Sequence, residues 1–171
     1  MMSALVLVGV PGAGKSTVGK LLASELNLDF VDTDEVIEAR AGKTVSEIFI
    51  NDGEAVFRTL EAGVIAEELE NDSTVLSLGG GALGSEQTRQ RLAGHIVIWL
   101  QTSLSQAVAR VGMNRNRPLL LGNVRGQLAE LMTAREPVYR DAASIIIDTS
   151  DLSPAEVVAA IIAHLPESEH E

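Results

Sequence analysis

The sequence predicts an α/β fold in which helices cover both faces of a parallel sheet. Short apolar runs alternate with helix-period stretches from one end of the chain to the other, as successive βα units do. Most of those runs are almost continuously apolar, the composition of strands buried on two sides. A glycine-rich loop of the phosphate-binding type also follows the first run directly and opens the first helix. At 171 residues the chain has the length of a single domain. A chain of that size buries roughly 70% of the surface it exposes when unfolded, so it needs no disulfide or metal to hold it together.

Five runs read as strands: Ala4–Val8, Asp29–Val31, Thr74–Leu78, Ile96–Leu100 and Ser144–Ile147. Ala4–Val8 has neither the basic flank nor the cleavage site of a secretory leader, so it is read as a strand and the expected compartment is the cytoplasm. Helices are expected at Lys15–Leu26, Glu35–Ala41, Val45–Asn51, Glu54–Glu70, Ser85–Leu92, Leu104–Val111, Arg125–Tyr139 and Pro154–His164, with Gly or Pro near several ends. Two stretches break the βα rhythm. Residues 33–70 carry two or three helices where one crossover would suffice, and Gly112–Asn123 is an irregular Arg/Asn/Gly/Leu loop around Pro118. Insertions of this kind are where specificity resides, and the second reads as a mobile loop. The tail from Pro166 to Glu171 is acidic and expected to be disordered.

Composition excludes several function classes. With no Cys there is no thiol catalysis and no zinc-cysteine site. A net charge of −11 and a pI of about 4.7 repel nucleic-acid backbones and anionic membranes. No apolar run reaches bilayer length. Any anionic ligand must therefore meet a local positive site; the expected partner is a small molecule, and a monomer is expected. Between Glu86 and Glu130 there is no acidic residue, whereas Arg89, Arg91, Arg110, Arg115, Arg117 and Arg125 fall there. Arg89 and Arg91 read as a solvated helix face; Arg110, Arg115 and Arg117, around the Gly/Asn loop, read as ligand-directed. Ten Arg against three Lys favour forked recognition of phosphate or carboxylate. His95, His164 and His170 are too scattered for a metal site.

Gly9-Val10-Pro11-Gly12-Ala13-Gly14-Lys15-Ser16 matches G-x-x-x-x-G-K-[ST]. It lies between an apolar strand and a helix with Val18, Leu21, Leu22 and Leu26 on one face, which is the context the motif needs. Backbone N–H groups and the helix N-terminus hold phosphate, Lys15 adds a point charge, and Ser16 offers a hydroxyl to Mg²⁺. A switch GTPase would also carry an Asn-Lys-x-Asp guanine reader, which is missing. A motor ATPase would end an apolar strand on a metal-binding acid, and Asp148 is read instead as capping the turn before the last helix. Asp32 is the acid better placed for metal. In Val31-Asp32-Thr33-Asp34 an extended chain would turn both carboxylates to one side, one for the metal and one for a reacting hydroxyl. The alternative is that Thr33 or Asp34 caps the next helix.

Taken together, the loop near the N-terminus, Asp32-Thr33-Asp34, Phe57-Arg58, Gly79-Gly80-Gly81, Arg117-Pro118-Leu119 and Arg135 before Tyr139-Arg140 resemble the shikimate kinase family over nearly the whole chain. The resemblance implies a P-loop kinase of the nucleoside-monophosphate-kinase type, with a five-stranded parallel sheet in the order 2-3-1-4-5, a substrate-binding insertion (33–70) and a lid (112–123). It implies phosphorylation of the 3-hydroxyl of shikimate by ATP with Mg²⁺, on the route to chorismate and aromatic amino acids. Gly12, Ala13, Gly14, Lys15, Ser16, Thr17, Arg110 and Arg117 would then bind ATP, and Ser16 and Asp32 the metal. Arg58 and Arg135 would hold the substrate carboxylate, with Gly79, Gly80 and Gly81 as backbone contacts and Phe49 and Phe57 as an apolar wall. Asp34 would meet the reacting hydroxyl, and Lys15 and Arg117 would stabilise the transferring phosphoryl group. On the residues alone, Arg58 could equally be a helix-surface partner of Glu61 or Glu54. The chain departs from the family's pattern before the last helix, where Leu152 stands in a loop that often carries a basic adenine contact, so backbone contacts are expected there. Rival readings are a kinase for another small hydroxy acid such as gluconate, a nucleoside monophosphate kinase, and a catalytically idle nucleotide-binding module.

Overall fold

A computed structural model describes residues 4–71, 73–112 and 123–166. Its strands are β1 (Leu5–Val8), β2 (Asp29–Asp32), β3 (Thr74–Ser77), β4 (Ile96–Gln101) and β5 (Ile145–Asp148). They form one parallel sheet in the order β2-β3-β1-β4-β5, as the family resemblance implied. The helices are α1 (Lys15–Leu26), α2 (Thr33–Ala41), α3 (Val45–Asn51), α4 (Glu54–Glu68), α5 (Glu86–Arg91), α6 (Leu104–Gly112), α7 (Val124–Ala142) and α8 (Pro154–His164).

Alternation along the strands sorts the core into two layers. Leu5 and Leu7 face α1 and α8, meeting Val18, Leu22, Val157 and Ile161. Ala4, Val6 and Val8 face the other way, toward Ile65 of α4, Leu92 beyond α5 and Tyr139 of α7. α1 lies so near the sheet that a Cβ at Gly19 would overlap the Phe30 ring and sit 3.1 Å from Leu7 Cδ1. The insertion α2–α4 has a small core of its own: Ile37, Ile48, Phe57 and Val64. α3 begins with a capping box, in which the Thr44 hydroxyl accepts from the Glu47 N–H while Glu47 reaches back.

The expected boundaries hold to within a residue or two except at the end of α7, with two informative shifts. α2 starts at Thr33 rather than Glu35 because Asp32 caps it, and α5 starts after Ser85, whose hydroxyl accepts from the Thr88 N–H at 3.2 Å. α7 runs on through Pro137 to Ala142. Arg89, expected on a solvated face, instead donates to Leu83 O across the α5 turn at 2.5 Å. Asp148 accepts from Ser150 N–H at 2.9 Å and caps the turn after β5, as expected; that bond holds its carboxyl below the usual range. Leu152 packs on the α1/α8 layer. Among the described residues no helix is long and apolar enough to cross a membrane.

Candidate active site

The carboxyl ends of the parallel strands deliver the candidate residues to one edge of the sheet, where open α/β sheets hold their ligands. The loop after β1 turns through Gly12 (φ 86°) and Gly14 (φ 91°), a left-handed conformation that glycine alone adopts without strain. A Cβ at Gly12 would also lie 2.7 Å from Ala107 O of α6. Gly14 is the N-cap of α1 and has no side chain to occupy the first N–H groups, so they and the helix dipole remain available to an anion. Lys15 Nζ is held across the loop, donating to Gly9 O at 2.6 Å and Val10 O at 3.3 Å. Arg110 reaches in from α6 and donates to Gly12 O at 2.9 Å. A cleft of about 280 Å³ joins the loop to Asp32, Asp34 and the turn after β3, with Arg110 on its wall.

Asp32 and Asp34 do not lie on an extended chain as the sequence reading supposed. Asp32 ends β2 and caps α2, so the chain has already turned helical at Asp34. Asp32 Oδ1 accepts from Asp34 N–H at 2.9 Å, while Oδ2 accepts from Ser16 Oγ at 3.2 Å. The cap is therefore neither Thr33 nor Asp34. Thr33 is buried and its hydroxyl points to Ser77 O at 3.3 Å, which ties α2 to β3. The Ser16–Asp32 pair supplies two hard oxygens side by side, a donor set that suits Mg²⁺. No group of three or more His, Asp or Glu among the described residues forms a metal cage.

On the other side of the cleft, two guanidinium groups lie against consecutive glycines. A Cβ at Gly81 would sit 2.5 Å from Arg58 Nη2, and one at Gly80 would sit 2.8 Å from Arg135 Nη1. Only a residue without a side chain permits this approach. Arg58 comes from α4 and Arg135 from α7, so the glycine turn lies between two cations drawn from different parts of the fold. The Arg58 guanidinium packs 5.2 Å from the Phe57 ring centroid and 6.0 Å from that of Phe49, and the two rings meet at 4.8 Å. The phenylalanines thus form a platform behind Arg58, and neither lines the phosphate-loop cleft.

Arg58 does pair with Glu61, Nη1 to Oε1 at 2.9 Å, but Glu61 is buried and the pair is no surface decoration. Burial raises the Glu61 carboxyl above the ordinary carboxylate range, Arg58 opposes that, and Asp34 adds to it. Glu61 Oε2 has no hydrogen-bond partner among the described residues and would lie 2.8 Å from a Cβ at Gly79; the Asp34 Oδ1 would lie 3.1 Å from it. Two arginines and two carboxylates therefore share the end of β3. Sequence reasoning missed Glu61 as a site residue. Its signal was available, since Glu61 falls on the buried face of α4 with Phe57, Val64 and Ile65.

The structure thus brings together Gly12–Thr17, Asp32, Asp34, Arg58, Gly79–Gly81, Arg110 and Arg135. Arg117 and most of the expected lid, residues 113–122, lie outside the described residues.

Comparison with known proteins agrees with this geometry. The family model described as shikimate kinase matches residues 11–166. The shikimate kinase of Thermobifida fusca is 50% identical over 161 residues, covering 94% of each chain. That of Rhodococcus jostii is 48% identical over 163 residues, covering 95% of this chain and 97% of the relative. Among solved structures, shikimate kinase from Acinetobacter baumannii in complex with shikimate superposes with a TM-score of 0.91 at 36% identity, covering 95% of this chain and 92% of that one. The enzyme from Aquifex aeolicus superposes with a TM-score of 0.79 at 31% identity. A phosphate loop facing two arginines across a glycine turn, and relatives alike over almost their whole length, make this chain a member of the shikimate kinase family.

Proposed function

We propose that this protein transfers the γ-phosphate of ATP to the 3-hydroxyl of shikimate, giving shikimate 3-phosphate and ADP. The observation that carries this reading is the pairing of Arg58 and Arg135 on Gly81 and Gly80, at the end of the cleft that begins at the phosphate loop. Two forked cations from separate helices suit a planar carboxylate, which accepts charge-assisted bonds from each. Such forks also clamp phosphate, so membership of the shikimate kinase family, rather than the pair alone, favours a hydroxy acid over a nucleoside monophosphate.

In this reading the loop N–H groups, Lys15 and the start of α1 hold the β- and γ-phosphates. Ser16 and Asp32 would hold Mg²⁺, which would supply positive charge against that of the phosphates. Arg58 and Arg135 fix one end of the acceptor, and that sets the position of its ring hydroxyls. Asp34, on the first turn of α2 and across from Gly79, accepts a hydrogen bond from the hydroxyl that attacks. The hydroxyl oxygen bonds to the γ-phosphorus, the bond to the bridging oxygen of ADP breaks, and the hydroxyl proton passes to Asp34 or to water. Most of the rate gain comes from positioning and charge stabilisation. Arg110 flanks the nucleotide, and Arg117 is assigned to the γ-phosphate on sequence resemblance.

The test is ADP release from Mg-ATP by the purified protein with shikimate, gluconate, AMP or no acceptor. Release dependent on shikimate is expected. Release with another acceptor alone would keep the phosphate loop and overturn the acceptor site; no release with any acceptor would favour an idle nucleotide-binding module.

A further inference from the structure

The turn after β3 is held from below by a residue outside the cleft. Tyr139 lies on α7, one helical turn after Arg135, with its ring 2% exposed in the core layer that contains Val6, Leu78 and Trp99. Its hydroxyl donates to Gly80 O at 2.6 Å. The neighbouring carbonyls are served differently: Gly79 O accepts from Ala82 N–H and Gly81 O from Gly84 N–H, each at 3.1 Å, inside the short 3₁₀ turn Ala82–Gly84. Gly80 O is thus the one carbonyl of the three that a side chain from another part of the fold orients.

A peptide unit is planar and trans, so fixing one end fixes the other. With the Gly80 carbonyl drawn toward Tyr139 and the core, the N–H of Gly81 in the same peptide plane points the opposite way, out of the core. That N–H has no protein acceptor among the described residues. Its residue is the one on which the Arg58 guanidinium lies, while Arg135, on the same helix as Tyr139, lies on Gly80.

Resting on the proposed shikimate reading, we infer that Tyr139 is a positioning residue for the acceptor: its hydroxyl locks the Gly80–Gly81 peptide so that the Gly81 N–H faces the bound acid between Arg58 and Arg135. One bond thereby ties the helix carrying Arg135 to the turn supporting Arg58, and the spacing of the two guanidiniums depends on it. Burial pushes the phenol up to about 12, against the pull of Arg135 and Arg58, so it stays protonated and a donor throughout the neutral range. Trp99, whose ring lies 5.7 Å from that of Tyr139, backs the phenol, and the Arg140 guanidinium lies 5.2 Å from the Trp99 ring centroid.

Tyr139→Phe keeps the ring and removes the hydroxyl. Loss of a buried hydrogen bond of this kind should raise the KM for shikimate about tenfold, with the KM for ATP unchanged and kcat within about twofold if acceptor placement alone is weakened. The affinity for shikimate, followed by the fluorescence of Trp99, the single Trp of the chain, should weaken by the same factor. Thermal melting serves as the control for folding: Tyr139→Phe, which leaves Gly80 O without its donor, should lower the melting temperature by a few degrees, and Tyr139→Leu, which also removes the ring, should lower it further. A Tyr139→Phe enzyme with wild-type KM for shikimate, or with both KM values raised equally, overturns the inference. Wild-type protein that releases no ADP with shikimate would instead overturn the functional reading beneath it, so the two failures are distinct.

Discussion

Gly81→Ala should damage acceptor binding while leaving the fold almost untouched. Gly81 has φ −102° and ψ 7°, a conformation alanine also adopts, so the backbone does not object. The new methyl would sit 2.5 Å from Arg58 Nη2, 2.9 Å from Cζ and 3.0 Å from Nη1. Those atoms end a flexible side chain, and a retreat of roughly 1 Å restores ordinary contact. The retreat carries the guanidinium off the position where it meets a carboxylate. Losing one charge-assisted hydrogen bond costs about 1.5–3 kcal/mol, equivalent to about a 10- to 150-fold rise in the KM for shikimate. Steady-state ADP release with shikimate and ATP varied in turn is the assay, with thermal melting as the control. If the methyl acts only through Arg58, then Gly81→Ala in an Arg58→Ala background adds little, and the cycle is strongly non-additive. A full, additive loss in that background would refute the argument, as would an ATP KM that rises in parallel.

Three further outcomes are expected. Glu61→Gln should alter the pH dependence of stability: because burial raises the Glu61 carboxyl in the folded state, wild-type stability should fall relative to the variant as pH rises from the ordinary carboxylate value upward. Melting curves from mildly acidic to neutral pH measure this, and an opposite trend would refute the burial argument. Asp34→Asn should reduce turnover by orders of magnitude with ATP affinity nearly intact, checked by kinetics and nucleotide titration; an active variant would remove Asp34 from the reaction. Gly19→Ala adds a good helix former inside α1, yet its methyl meets the Phe30 ring, so it should lose about 1–3 kcal/mol of stability, read from denaturant unfolding.

Much of this was legible in the chain. The phosphate loop is a local pattern in which Gly12 and Gly14 supply left-handed backbone and Lys15 follows them, so spacing alone reports it. Strand positions follow from apolar runs such as Ile96–Leu100, though the strand order came from family resemblance. What spacing could not give were contacts made by distant segments meeting. Asp32 looked like one of two carboxylates on an extended strand because nothing local shows that the strand stops there; its cap on Asp34 and its bond to Ser16 depend on β2 ending beside α1. On the residues alone Arg58 could equally have been a surface partner of Glu61 or Glu54, because a three-residue spacing is the same whether the helix face is wet or buried. The bond from Tyr139 to Gly80 spans 59 residues and leaves no trace in either neighbourhood.

The separate core of α2–α4 bears on how this molecule breathes. Among the described residues, Ile37, Ile48, Phe57 and Val64 are its buried apolar residues, against fifteen and fourteen in the two layers on the sheet. Cooperative units open more readily the less they bury, so this segment should come loose as a unit while the sheet stays closed. Amide protons of α3 and the first half of α4 should then exchange with deuterium well before those of β1 and β4. Because Arg58 belongs to that unit and Arg135 to α7, a ligand bridging the two would slow the exchange, making protection in the insertion a direct record of acid binding.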